Sequence, residues 1–272
     1  MERTFDAGPV AINYAVEGRE DGQPIVFLHG VTGRWQAWFP VMLAFAGEYR
    51  VYGLDFRGHG RSGHVPGAYR AVDYAADVVA FLRRVVGRPA VVVGHSLGAI
   101  VAIAVAADAP ELVRAAVLED PPLGAFDDQS LRDRAEYPRF LATRDLARAR
   151  MPPVALFEAL SKQMPGVDAA TVGQRVVTVS QMDPDVLTLI LEDRAKEGYE
   201  LETRLRRMAC PVLLQQGNVA LGGALEDERA TKARTLLADC TFEYFPDVGH
   251  GIHGEAPFAF CRNVREFLKA LA

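Results

Sequence analysis

Residues 89–107 read PAVVVGHSLGAIVAIAVAA, the most apolar stretch of the chain and nearly long enough to span a bilayer. The interruption in it constrains the fold. Ala90–Val93 is a valine-rich run, and Gly94, His95, Ser96 and Gly98 break it where a strand would turn into a helix. Ala99–Ala107 then has the small side chains of a buried helix, stopped near Pro110. An apolar strand followed at once by a buried helix is the unit of a parallel sheet, because the helical crossover carries the chain back over a sheet face.

The same unit recurs on both sides of this stretch. Val10–Val16 alternates like a strand, followed by a Gly-rich turn from Gly18 to Gly22. Ile25–Leu28 is a short apolar run ending at His29-Gly30, and Val51–Leu54 is another ending at Asp55. Ala71–Val86 has helical spacing, with Tyr74, Val78, Phe81, Leu82 and Val85 on one face. Ala115–Leu118 is the next buried strand, followed by Glu119-Asp120-Pro121-Pro122. From about 125 to 205 the chain is charged, Arg-rich and helical in spacing, with only Arg175–Val179 ambiguous. Strand character returns at Val212–Gln215 and Thr241–Phe245, with helices expected over Asp227–Leu237 and Pro257–Leu271. The expected architecture is α/β, a mostly parallel central sheet with helices on both faces. Its core halves are residues 1–124 and 206–272, and a helical cap, 125–205, is inserted between them. Such an insertion at the carboxyl ends of the strands acts as a lid on a site there.

Composition excludes several classes. Half of the 272 residues are hydrophobic, enough to offset the entropy of ordering, so disorder is not expected. With 30 Lys+Arg against 35 Asp+Glu the net charge is −5, which argues against a nucleic-acid partner. No signal peptide or membrane span is visible, and Cys210, Cys240 and Cys261 are few, far apart and odd in number. They read as reduced thiols of a cytoplasmic protein rather than a disulfide framework.

The pattern Gly94-His95-Ser96-Leu97-Gly98 fits G-x-S-x-G in its required context of strand before and helix after. There Ser96 sits on a sharp turn with its hydroxyl above the sheet, and the Leu97 amide at the helix start points toward a developing oxyanion. His29-Gly30-Val31-Thr32-Gly33, after another strand, can supply a second oxyanion amide, that of Val31. His29 itself reads as a loop brace. His250, in Val248-Gly249-His250-Gly251 after the last strand, is the natural general base, with His253 its rival. Two other patterns carry less. Gly58-His59-Gly60-Arg61-Ser62-Gly63 matches G-x-G-x-x-G but opens no helix, so no nucleotide site is expected. The histidines have no metal-ligand spacing, so neither a metal nor a cofactor is expected.

In order, His29-Gly30, Asp55-Phe56-Arg57-Gly58-His59-Gly60-Arg61-Ser62, Gly94–Gly98, and Gly249-His250 followed by Glu255, Pro257 and Phe260 resemble the α/β-hydrolase superfamily, in its lid-bearing serine esterase and lactonase branch. The likeness spans almost the whole chain. It implies a triad acid after the Val212–Gln215 strand, but Gly217–Gly222 there holds no carboxylate. The remaining candidates are Glu119 and Asp120 at the preceding strand end, with Glu119 favoured because it directly continues the strand. Glu226 and Asp227 are the alternative. A serine rather than an aspartate at the elbow implies hydrolysis of an ester, thioester or lactone through an acyl-enzyme. A carbon–carbon hydrolase, a perhydrolase or a non-catalytic small-molecule receptor are the other readings. Trp35, Trp38 and Phe39 are candidates for an apolar acyl pocket, with plain core the equal alternative. Phe126, Tyr137, Phe140, Met151, Phe157 and Met164 of the lid are expected to set substrate size. The expected partner is a small ester or lactone, with no nucleic acid and no membrane, and the chain a monomer or homodimer.

Overall fold

The computed structural model describes residues 1–271. Eight strands form one sheet in the order β1-β2-β4-β3-β5-β6-β7-β8. They are β1 (Glu2–Asp6), β2 (Ala11–Gly18), β3 (Pro24–Leu28), β4 (Arg50–Leu54), β5 (Ala90–His95), β6 (Val113–Glu119), β7 (Val212–Gly217) and β8 (Cys240–Phe245). β1 and β2 are antiparallel to their neighbours, and every other pairing is parallel. β1 is the one strand not anticipated above. Its residues are mostly exposed, as at an edge, so it carries no buried apolar run to read.

Strand alternation splits the core into two layers. Val92, Ala116 and Leu118 face one side, with α2 (Ala71–Phe81) and α3 (Leu97–Asp108). Val91, Val93, Ala115 and Val117 face the other, with α1 (Phe39–Phe45) and α11 (Pro257–Ala270). α3 is buried from Leu97 through Ala107. Its run of Ala, Gly and Val lets the helix axis approach the sheet closely while α2 and α8 (Leu201–Arg207) cover its flanks.

Between β6 and β7 the chain runs through α4 (Tyr137–Ala149), α5 (Pro153–Gln163), α6 (Ala169–Ser180), α7 (Pro184–Leu191) and α8, with no strand among the described residues. The ambiguous Arg175–Val179 therefore lies in a helix. Val172, Val176 and Val179, at spacings of four and three, form its buried stripe, and this periodicity outweighs the β-branched composition. The contacts that fasten this segment to the core include Tyr199 donating to the Ile100 carbonyl at 2.5 Å and Tyr69 to Asp183 Oδ2 at 2.6 Å. After β7 come α9 (Asp227–Leu236), β8, the single turn α10 (Ile252–Glu255) and α11.

Candidate active site

β5 ends at His95 and α3 begins at Leu97, so Ser96 alone makes the turn. It does so at φ 55°, ψ −118°, a left-handed conformation that a side chain rarely adopts. The flanking glycines make the turn possible. A Cβ at Gly98 would lie 2.1 Å from the Leu28 carbonyl oxygen, and one at Gly94 would lie 2.2 Å from that of Gly98. Strain of this kind persists only where its surroundings enforce it, and such enforcement is typical of functional positions.

Register then sets the partners. His95 pairs with Glu119 across β5 and β6, and Glu119 with Gln215 across β6 and β7. Ser96 and Asp120 are each the next residue, at the same level of the sheet. Asp120 leaves its strand at φ 44°. Its Oδ2 accepts from His250 Nδ1 at 2.7 Å and from the Ala224 amide at 2.6 Å, and its Oδ1 from the Gly217 amide at 3.0 Å. Burial pushes the Asp120 pKa up, but the bond and charge of His250 and the two amides outweigh it, leaving it below the usual value. Asp120 is therefore a carboxylate at neutral pH, and it fixes Nδ1 of His250 as the protonated nitrogen.

The preference for Glu119 as the partner of His250 is overturned. Glu119 has the parity of Ala115 and Val117, so its side chain enters the α1/α11 layer. There it accepts from the backbone N–H of His253 at 2.8 Å and from its Nδ1 at 2.8 Å. The His253 ring stacks on Trp38, with centroids 4.0 Å apart. The rival base thus belongs to a second carboxylate–histidine pair behind the first. The parity of β6 was the signal that could have separated the two acids. Glu226 and Asp227 do not reach His250 either: Glu226 pairs with Arg134 at 2.7 Å and Asp227 accepts from Gln216 at 2.7 Å.

Ser96, His250 and Val31 line two adjoining cavities of about 100 and 240 Å³. Leu97 lines the first. Among the described residues neither the Val31 nor the Leu97 amide has a protein acceptor, and the Leu97 amide opens α3, where the helix dipole favours negative charge. His59 holds the Val31 carbonyl at 2.7 Å and so ties the loop after β3 to the loop after β4. His29 is a brace, as expected: its Nδ1 donates to the Gly30 carbonyl and its Nε2 accepts from the Phe56 amide. Burial pushes its pKa well below the ordinary value. The Gly58–Gly63 motif is a structural loop in which Asp55 accepts from the Trp35 amide at 2.8 Å and the Arg61 amide at 3.0 Å.

The aromatic triplet divides. Trp38 borders the larger cavity beside His253, but Trp35 and Phe39 face a separate surface depression that lacks Ser96. Those two do not form an acyl pocket with the nucleophile. Of the residues expected in a lid, Phe126 and Phe140 line the smaller cavity, while Met164 lines the separate depression. Tyr137, Met151 and Phe157 pack against the core. Among the described residues no group of three His, Cys, Asp or Glu side chains is placed to hold a metal ion.

A strained serine at a strand–helix turn, a histidine after the last strand and a buried carboxylate holding its Nδ1 are the parts of a nucleophilic hydrolase site. The model of the alpha/beta hydrolase family matches residues 25–263, and the chain belongs to that family. It is 34% identical over 120 residues to the 2-(acetamidomethylene)succinate hydrolase of Mesorhizobium japonicum, covering 44% of this chain and 42% of that one. It is 35% identical over 142 residues to the pyrrolizixenacetamide deacetylase of Xenorhabdus hominickii, covering 52% and 50%. These alignments span half or less of the curated relatives. The fold is similar throughout to the crystal structure of the enol-lactonase from Burkholderia xenovorans LB400, with a TM-score of 0.78 at 20% identity over 98% of this chain and all of that one.

Proposed function

We propose that the protein is a serine hydrolase that cleaves a carboxylic ester or lactone through an acyl-enzyme on Ser96. The observation that carries this reading is the bond from His250 Nδ1 to Asp120 Oδ2, 2.7 Å, at the cavity that also holds Ser96. With Nδ1 donating to Asp120, Nε2 of the neutral ring is the acceptor nitrogen, the tautomer that a general base needs. Ser96 Oγ attacks the carbonyl as its proton passes to His250 Nε2. The tetrahedral oxyanion takes hydrogen bonds from the Val31 and Leu97 amides. Collapse expels the alcohol oxygen, which leaves with the proton held by His250. Water then attacks the acyl carbon, gives a proton to His250, and the carboxylic acid departs as Ser96 recovers its proton.

A second reading, cleavage of an acyl–nitrogen bond, is favoured by the relative named as a deacetylase. It uses the same residues and differs only in the group that His250 protonates. The three cysteines are unpaired, which fits a reducing, cytoplasmic setting. The test is a panel of 4-nitrophenyl esters, lactones and anilides together with a fluorophosphonate label. Wild-type protein should be labelled on Ser96 and hydrolyse members of the ester or lactone set. Ser96→Ala should lose labelling and at least about a thousandfold in turnover. Near wild-type turnover in a folded Ser96→Ala protein would defeat the reading.

A further inference from the structure

Arginines that come near an acid in the segment between β6 and β7 pair with it: Arg134 with Glu226 at 2.7 Å, Arg194 with Glu197 at 3.2 Å and Arg204 with Asp108 at 3.0 Å. Arg139 on α4 and Arg175 on α6 have no such partner among the described residues. Arg175 donates to two neutral oxygens, the Thr32 carbonyl at 3.0 Å and Thr143 Oγ1 at 3.3 Å. Thr32 is the residue after Val31, so this guanidinium is tied to the oxyanion loop itself. The Arg139 guanidinium lies over the Phe140 ring at 4.9 Å, and Arg139 is solvent-accessible. Glu136, on the same wall, is within 3.5 Å of Arg134 instead.

Arg139 borders both cavities that Ser96 and His250 border. Desolvation by the surrounding protein pushes its pKa down, against the charge of Glu136, which raises it. Desolvation, and then the like charge of Arg139, push Arg175 down to about 10. Arg139 thus borders these cavities with no ion-paired acid among the described residues, and Arg175, which lines the separate depression, adds like charge to it. An anion entering beside Arg139 therefore meets a cation that no ion pair already neutralises. The planar guanidinium fork matches a carboxylate with two parallel hydrogen bonds.

We infer that the substrate carries a carboxylate, received by Arg139 with Arg175 reinforcing the positive field, while its scissile carbonyl lies at Ser96. This rests on the acyl-enzyme reading and narrows it to short carboxylate-bearing acyl compounds, such as half-esters of small dicarboxylic acids. Cavities of about 100 and 240 Å³ keep the acid short.

The test has a binding arm and a turnover arm. Succinate and its uncharged diamide, succinamide, are titrated calorimetrically into the wild type, Arg139→Gln and Arg139→Lys. The ratio of kcat/KM for mono-4-nitrophenyl succinate over 4-nitrophenyl butyrate is measured on the same proteins. Succinate should bind and succinamide should not. Arg139→Gln should weaken succinate about tenfold to a hundredfold, the range expected for a lost charge-assisted bond, and lower the charged-to-neutral ratio at least about tenfold. Arg139→Lys should recover part of both. The inference is overturned if succinate fails to bind, if the diamide binds as well, or if the folded Gln variant keeps the wild-type affinity for succinate. Failure of the fluorophosphonate to label Ser96, with succinate binding intact and sensitive to Arg139, would instead remove the acyl-enzyme reading and leave the carboxylate site standing.

Discussion

Replacing Asp120 by Asn changes one oxygen to an amide nitrogen in a side chain that accepts from four donors. Oδ2 takes His250 Nδ1 at 2.7 Å and the Ala224 amide at 2.6 Å. Oδ1 takes the Gly217 amide at 3.0 Å and the Leu225 amide at 3.3 Å. If the new nitrogen replaces Oδ1, two backbone donors lose their acceptor, each at about 1–3 kcal/mol. If it replaces Oδ2, one backbone donor is lost, and His250 can respond by moving its proton to Nε2. The second orientation costs less, so it prevails, and it leaves the imidazole unable to accept the Ser96 proton. The expected loss is a thousandfold to about ten-thousandfold in kcat, or about 4–5.5 kcal/mol of barrier. About 1–3 kcal/mol of folding stability should go with it. Glu119→Gln is the control. A Gln oxygen still accepts from the His253 amide, and its nitrogen can donate to Nδ1 of the other His253 tautomer, so turnover should fall less than about tenfold. His250→Ala and His253→Ala should divide in the same sense. The assay is steady-state ester hydrolysis, with a urea melt on each protein to show that it folds. If Asp120→Asn keeps more than a tenth of the turnover, or Glu119→Gln loses as much, Asp120 does not orient the base.

Two further outcomes follow from buried charges and rings. Arg57 and Asp77 pair at 2.6 Å with both side chains 5% exposed, so Arg57→Ala should destabilise by about 3–5 kcal/mol by stranding the carboxylate. The double variant with Asp77→Ala should recover part of this in a denaturant melt, and an unimproved double variant would contradict the argument. The ring of His95, partly buried, has its pKa pushed down to about 3 by desolvation first, and its Nε2 donates to the His250 carbonyl at 2.9 Å. The folded state then resists a proton that the unfolded chain accepts near pH 6.5. Stability from this group is intact above that pH and falls by about 1.4 kcal/mol per unit below it, down toward pH 3. Between pH 7 and 5.5 the wild type should lose about 1.4 kcal/mol more than His95→Asn, and parallel losses would show that His95 does not titrate as described.

The alternation of valine-rich runs with helical stretches, and the elbow at Gly94–Gly98, were legible because they are local. A strand buried on both faces has to be apolar throughout, and a turn that leaves no room for a side chain has to be glycine. The family, and Ser96 and His250 as candidates for its site, could therefore be read from residue order alone. The choice between Glu119 and Asp120 could not, although the two are neighbours. It depends on which face of β6 each side chain meets, on Asp120 leaving the strand in a left-handed conformation, and on two histidines more than a hundred residues later arriving at different layers of the core. The split among Trp35, Trp38 and Phe39, and the lack of an ion-paired acid for Arg139 and Arg175 among the described residues, are likewise properties of packing between distant segments. Local periodicity carries information about elements, whereas a charge acquires or lacks a partner only when those elements are brought together.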